Sequence, residues 1–300
     1  MNALRQFPLG TRFPDTPHAV ISSLPTMEDV RGYEEKDRRV LSAMTSGYPR
    51  FVAHAYIVEL IDLFLAREGL AGRSAVLVLS LRAAEDLLSY VGSDAKVIAV
   101  DDGLQLVHCA AADGDLISRM RKYVQHVGCG VSSRQAEDLL VRYGRLPQAH
   151  VEALFEGDAA AEVEWRLAEL YGCSRTDVWV CSSGMSAFYS GFRAVQDLQR
   201  SRGRTHWIQL GWLYLDSGCI LKEFLGDGET LDYCYDVNDT DALIEKLSSL
   251  GDALAGVVVE CPTNPLVQIC DLPRVSAAVR ECGGVLLVDP TVASIYNVDV

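Results

Sequence analysis

A regular alternation of strand-like and helix-like segments from about residue 145 onward is the feature that most constrains the fold. The spacing of apolar residues predicts a helix over 160–171, a strand over 177–182, a helix over 185–200 and a strand over 206–211. The pattern continues with a helix over 215–225, a strand over 231–235, a helix over 240–250, a strand over 255–260, a helix over 272–282 and a strand over 284–289. Strands separated by helices of this length close most simply into a mainly parallel, doubly wound α/β sheet. Ligands of such sheets sit at the carboxyl ends of the strands, so those ends are where chemistry is to be sought.

The preceding part is also α/β, with different spacing. A helix is expected over 51–70, a strand over 75–79, a helix over 82–90, strands over 96–100 and 104–108, and helices over 115–126 and 133–143. The first 50 residues are rich in proline and turn formers, from Pro8 through Pro14 and Pro17, and are expected to wrap over a neighbouring surface. The expected division is an α/β N-terminal extension over 1–140 and a second domain over 141–300.

Composition narrows the function. With 49% hydrophobic and 23% charged residues the chain is an ordinary globular one, and its net charge of -14 repels phosphate backbones and anionic lipid. Neither nucleic acid nor a membrane is an expected partner. The nine cysteines are scattered without a C-x-x-C pair, as reduced, buried residues would be, and Met1 to Pro8 lacks the apolar core of a signal peptide, so a cytoplasmic protein is expected. The six histidines lie far apart, without ligand spacing, so no metal site is expected. Dinucleotide, Walker, zincin and nucleophile-elbow motifs are all missing.

Three strand ends stand out. Cys181-Ser-Ser183-Gly184-Met185-Ser-Ala187 runs a strand into a small-residue turn that opens a helix, where free amides suit a phosphate; plain capping is the alternative. Glu260-Cys-Pro-Thr-Asn264-Pro-Leu266 ends an apolar strand in a turn with Asn264 beside a proline, either a structural turn or a way of aiming its amide at a ligand. Gly283 through Asp289-Pro-Thr291 delivers a carboxylate at the end of an apolar strand, and since burying an unpaired charge is costly, Asp289 is expected to face either a cationic partner or solvent.

These three motifs, in this order, resemble the cystathionine gamma-synthase family of pyridoxal-phosphate (PLP) enzymes. Glu260 to Leu266 matches the family's E-x-P-x-N-P-L, Ser183 to Ala187 matches S-G-M-x-A, and Asp289-Pro-Thr291-Val-Ala-Ser resembles D-N-T-F-A-S with two positions changed. The resemblance implies the fold-type-I, aminotransferase-like large domain and PLP as cofactor. It implies a phosphate held at Ser183, Gly184 and Met185, Asp289 on the pyridine nitrogen with Thr291 beside it, Asn264 near the ring oxygen, and Tyr214 as the ring-stacking, catalytic tyrosine. Tyr143-Gly-Arg145 resembles the family's Y-S/G-R, whose tyrosine and arginine reach the phosphate of a neighbouring subunit, which implies a homo-oligomer. The pattern G-N-P-T that should come next is replaced by Leu146-Pro-Gln-Ala. Pro17-His-Ala-Val, Ser23-Leu-Pro-Thr, Gly32-Tyr-Glu-Glu and Gly47-Tyr-Pro-Arg-Phe51 resemble the long leading region of fungal-type members.

The activity so implied is joining cysteine to an O-acylhomoserine in transsulfuration and methionine biosynthesis, with small amino acids as substrates; related gamma-lyases and sulfhydrylases share these motifs. The family holds PLP as a Schiff base to a lysine beyond the aspartate. The lysines here are Lys36, Lys96, Lys122, Lys222 and Lys246, and none fits that place. The chain is therefore expected to be a fragment, incomplete at its C-terminus and inactive alone. The alternative is a non-catalytic binding or regulatory protein on the same fold.

Overall fold

The computed structural model describes residues 7–44, 53–92, 94–294 and 296–298. The Gly47 to Phe51 motif lies outside them. The described residues form two compact units, one of Met1–Gln125 with Cys129–Leu154, the other of His126–Gly128 with Phe155–Val300.

The first unit opens with a short antiparallel pair, β1 (Arg12–Phe13) and β2 (Ile21–Ser22), then α1 (Met27–Glu34) and α2 (Arg38–Ala43). These two helices fall where no periodicity is evident in the sequence. Side-chain caps start them: Thr26 Oγ1 accepts from the Asp29 amide and Asp37 from the Arg39 amide, and Arg39 then holds the buried Asp29 carboxylate at 2.8 Å. Next come α3 (Ala55–Arg67), β3 (Arg73–Val78), α4 (Leu81–Val91), β4 (Lys96–Ala99), β5 (Gln105–Ala110), α5 (Gly114–Val127) and α6 (Ser133–Arg142). The three strands pair antiparallel in the order β3-β5-β4. Leu60, Phe64, Leu77, Leu106, Leu139 and Leu140 pack α3 and α6 against this sheet in one core.

In the second unit, α7 (Ala159–Tyr171), capped by Asp158, precedes α8 (Gly184–Ser201) and β6 (His206–Leu210). Beyond them lie α9 (Leu215–Glu223), β7 (Thr230–Cys234), α10 (Thr240–Leu250), β8 (Leu254–Glu260), α11 (Leu272–Glu281) and β9 (Val285–Asp289). The four strands are all parallel, in the order β7-β6-β8-β9. This is the mixed α/β architecture with a parallel sheet expected from the alternation. β8 is buried along its whole length, as a central parallel strand must be. Gly256 lies within it because a Cβ there would meet Val285 O at 2.7 Å and the Trp207 ring at 2.9 Å.

One predicted strand is absent. Residues 178–182 are irregular, with Trp179 86% exposed and Val180 48% exposed, and only a 3-10 turn at Arg175–Asp177 precedes them. A strand exists only where a neighbour takes up its amides and carbonyls. None of the described strands pairs with this segment, so its apolar residues are not enough to make it one.

Candidate active site

The strand order places the site. From β6 the chain crosses to β7 on one side, whereas from β8 it crosses to β9 on the other, so the connections leaving adjacent strands β6 and β8 run in opposite directions. That is the switch point at which parallel sheets open a crevice beyond their carboxyl ends. Tyr214 lies just past β6, and Glu260 ends β8 with Asn264 just beyond it. Asp289 ends β9 in register with Glu260.

The turn into α8 reaches the same end of the sheet. At the far end of that helix the Gln199 side chain donates to Gly283 O at 3.1 Å, and Arg204 donates to Cys282 O, both before β9 begins. The N-terminus of α8 therefore lies toward the carboxyl ends. There Ser183 Oγ accepts from the Ser186 amide at 3.0 Å and donates to Gly128 O at 3.1 Å, while the Ala187 amide bonds Ser183 O. The Gly184 and Met185 amides, in the first turn, have no such acceptor among the described residues. Gly184 is exposed, with nothing within 4 Å of where a Cβ would stand. This free space and these two amides fit a phosphate group.

Asp289 is fixed through one oxygen. Its Oδ1 accepts from the Thr291 amide at 2.9 Å and from the Thr291 hydroxyl at 2.5 Å, which leaves Oδ2 for another donor. Thr291 thus positions the carboxylate. Tyr214, half-buried, is the N-cap of α9, and its amide donates to Glu260 Oε1. Asn264, also half-buried, lies in a loop tied by Thr263: the Thr263 amide donates to Gln268 O at 2.9 Å and Thr263 Oγ1 accepts from the Gln268 amide at 3.0 Å. Close approach holds that loop to the β6 end, because at Gly211, φ +72°, a Cβ would meet Thr263 Cγ2 at 2.8 Å and Val237 Cγ1 at 2.6 Å.

Glu260 closes β8 at the crevice, and the motif match leaves it without a task. It is 3% exposed and its Oε2 has no hydrogen-bond partner among the described residues. Burial pushes its pKa up to about 7, the Tyr214 amide opposes this, and the nearby Asp289 charge adds to it. A charged residue closing an otherwise apolar strand is the signal that could single it out.

Tyr143 and Arg145 belong to the first unit. The Tyr143 hydroxyl accepts from Arg67 Nη1 at 2.9 Å, and Arg145 Nε lies 3.3 Å from Glu59. The second unit alone brings together Ser183, Gly184, Met185, Tyr214, Asn264, Asp289 and Thr291.

The model of the Cys/Met metabolism PLP-dependent enzyme family matches residues 156–299, the part that carries this crevice. Over those residues the chain belongs to that family. Its cofactor is PLP, and the helix amides and the strand-end aspartate fit that group. The chain is 34% identical over 290 residues to an L-2-amino-4-chloropent-4-enoate dechlorinase/desaturase of Streptantibioticus cattleyicolor, covering 96% of this chain and 57% of that protein. It is 30% identical over 145 residues to the cystathionine gamma-synthase of Saccharomyces cerevisiae, covering 42% and 23%. It is 23% identical over 415 residues to that of Neurospora crassa, covering 98% and 66%. The chain thus spans 57% of the length of the first relative and 66% of the last.

Proposed function

We propose that this chain forms the cofactor-holding part of an enzyme that acts on an amino acid bearing a leaving group on its γ carbon. The observation that carries the reading is the convergence, at one switch point, of two uncommitted helix amides, a positioned carboxylate and a tyrosine. Bound PLP withdraws electrons from the α carbon of an amino acid. The Gly184 and Met185 amides would hold its phosphate, and Asp289 Oδ2 would keep a proton on the pyridine nitrogen. Tyr214 would lie against the ring, at a height set by its amide on Glu260, and Asn264 would face the ring oxygen.

Joining cysteine to an O-acylhomoserine is one reaction of this class. The first relative supports a second: the substrate in its name carries chlorine on carbon 4, which is the γ carbon of an amino acid. Both require departure of a γ substituent, after proton loss nearer the α carbon, and differ in the fate of the carbon it leaves. Substrate profiling of the protein purified from its source with PLP separates them. Cystathionine formed from O-acylhomoserine and cysteine supports the synthase, and chloride released from a 4-chloro amino acid supports the dechlorinase. Keto acid released from cystathionine supports a lyase, and failure with every γ-substituted substrate overturns the reading. Residues 1–300 alone are proposed to be inactive, since Lys246 is tied to Asp232 at 2.8 Å and, among the described residues, no lysine ends a strand at the crevice; robust turnover by this segment would refute that.

A further inference from the structure

The described residues contain one trio of side chains with the donor set of a transition-metal site. Sequence spacing hides it, because His126 stands far along the chain from its two companions and only the fold brings them together. Asp216, Cys219 and Glu223 recur at helical intervals on one face of α9. His126, near the end of α5 and grouped with the second unit, faces them. Its Nδ1 is 3.8 Å from Glu223 Oε2, and its Nε2 is 3.7 Å from Asp216 Oδ1. The His126 and Asp216 side chains are 5% and 2% exposed, and that of Glu223 is 21% exposed.

We propose that His126, Cys219 and Glu223 bind a divalent transition-metal ion of the zinc type, with Asp216 as the residue that orients His126. The donor atoms of the trio already lie within 4.8 Å of one another. A tetrahedral ion with bonds of about 2.0–2.3 Å holds its donors roughly 3.3–3.8 Å apart, so closing around one requires shifts of about 1 Å. A thiolate with an imidazole selects zinc-like ions over magnesium or calcium, which prefer oxygen. The two ring nitrogens divide the work. Nδ1 faces the Glu223 donor, while Nε2 lies 3.7 Å from the buried Asp216 carboxylate, which on closing to hydrogen-bond distance would fix the tautomer and orientation of the ring. A divalent charge offsets the thiolate and the Glu223 carboxylate, and three protein donors leave a fourth position open. Such an ion would pin α9, the helix whose N-cap is Tyr214. The site stands independently of the proposed reaction.

The test is cobalt titration of the purified, chelator-stripped 300-residue chain, with subsequent displacement by zinc. One ion per chain is expected, with visible bands of a tetrahedral ion and a thiolate-to-cobalt charge-transfer band in the near ultraviolet. Cys219→Ser should abolish the charge-transfer band, and Asp216→Asn should weaken binding about 10- to 100-fold while keeping it. Glu223→Gln should weaken binding with the charge-transfer band retained, which serves where Cys219→Ser disturbs folding as judged by circular dichroism. Cys173→Ser, at an exposed cysteine, should change nothing. A charge-transfer band that survives Cys219→Ser, or binding without any such band, overturns the proposal.

Discussion

Each compact unit is built on a sheet and buries a glutamate, but the two glutamates are treated differently. In the first unit Glu137, 4% exposed, has its Oε2 3.1 Å from His18 Nε2, and His18 Nδ1 is 2.9 Å from Ser133 Oγ. In the second, Glu260 ends a parallel strand with one oxygen on the Tyr214 amide and the other without a partner among the described residues. A closed network of buried polar groups fixes structure, whereas a half-satisfied carboxyl is costly to keep and marks a place where the fold serves something besides its own stability. In the second unit, parallel strands whose connections diverge open a crevice beyond their carboxyl ends, and Glu260 stands beside it.

The comparison can be broken at its strongest point first. Glu137→Ala should destabilise the first unit by about 1–3 kcal/mol, since it leaves a buried imidazole nitrogen without its partner, and urea denaturation monitored by circular dichroism would show it. A loss under about 1 kcal/mol would mean that the network does not fix the structure.

Glu260 makes an opposite kind of prediction, visible in pH dependence. Its folded value of about 7 lies above the reference 4.5, so the folded state binds the extra proton between them. The stabilisation is complete below about pH 4.5 and is lost as pH rises through about 7, on the order of 3 kcal/mol in all. Glu260→Gln, which keeps an acceptor for the Tyr214 amide, should remove that slope from denaturation curves taken across this window. An unchanged slope would place the proton elsewhere.

A third substitution probes how tightly the crevice loops are held. Gly211→Ala forces a side chain into the left-handed region and against Thr263 and Val237, and should cost about 1–3 kcal/mol by thermal denaturation. The smallest effect compares two helix caps. Ser80 Oγ accepts from the Ala83 amide in the first unit as Ser183 Oγ does from Ser186 in the second. Replacing either by Ala should cost about 1 kcal/mol. Only Ser183→Ala should also weaken binding of PLP measured by fluorescence quenching, and equal effects on PLP binding would remove the distinction.

Much of this molecule was determined by sequence alone. From α8 onward every helix and strand appears within about two residues of its expected place, because apolar periodicity and capping side chains such as Ser183, Asp239 and Asp271 act over a few neighbours. Ser183-Gly-Met, Glu260 to Leu266 and Asp289 to Thr291 were legible as motifs for the same reason. What only the tertiary structure decided depends on partners distant in the chain. The apolar segment at 178–182 is no strand because none of the described strands pairs with it, and the order β7-β6-β8-β9, which creates the crevice, is a choice among sheet arrangements that local periodicity cannot express. The raised affinity of Glu260 for its proton and the meeting of His126 with Cys219 and Glu223 belong to the same class, since burial and proximity are properties of the assembled fold and of no single segment.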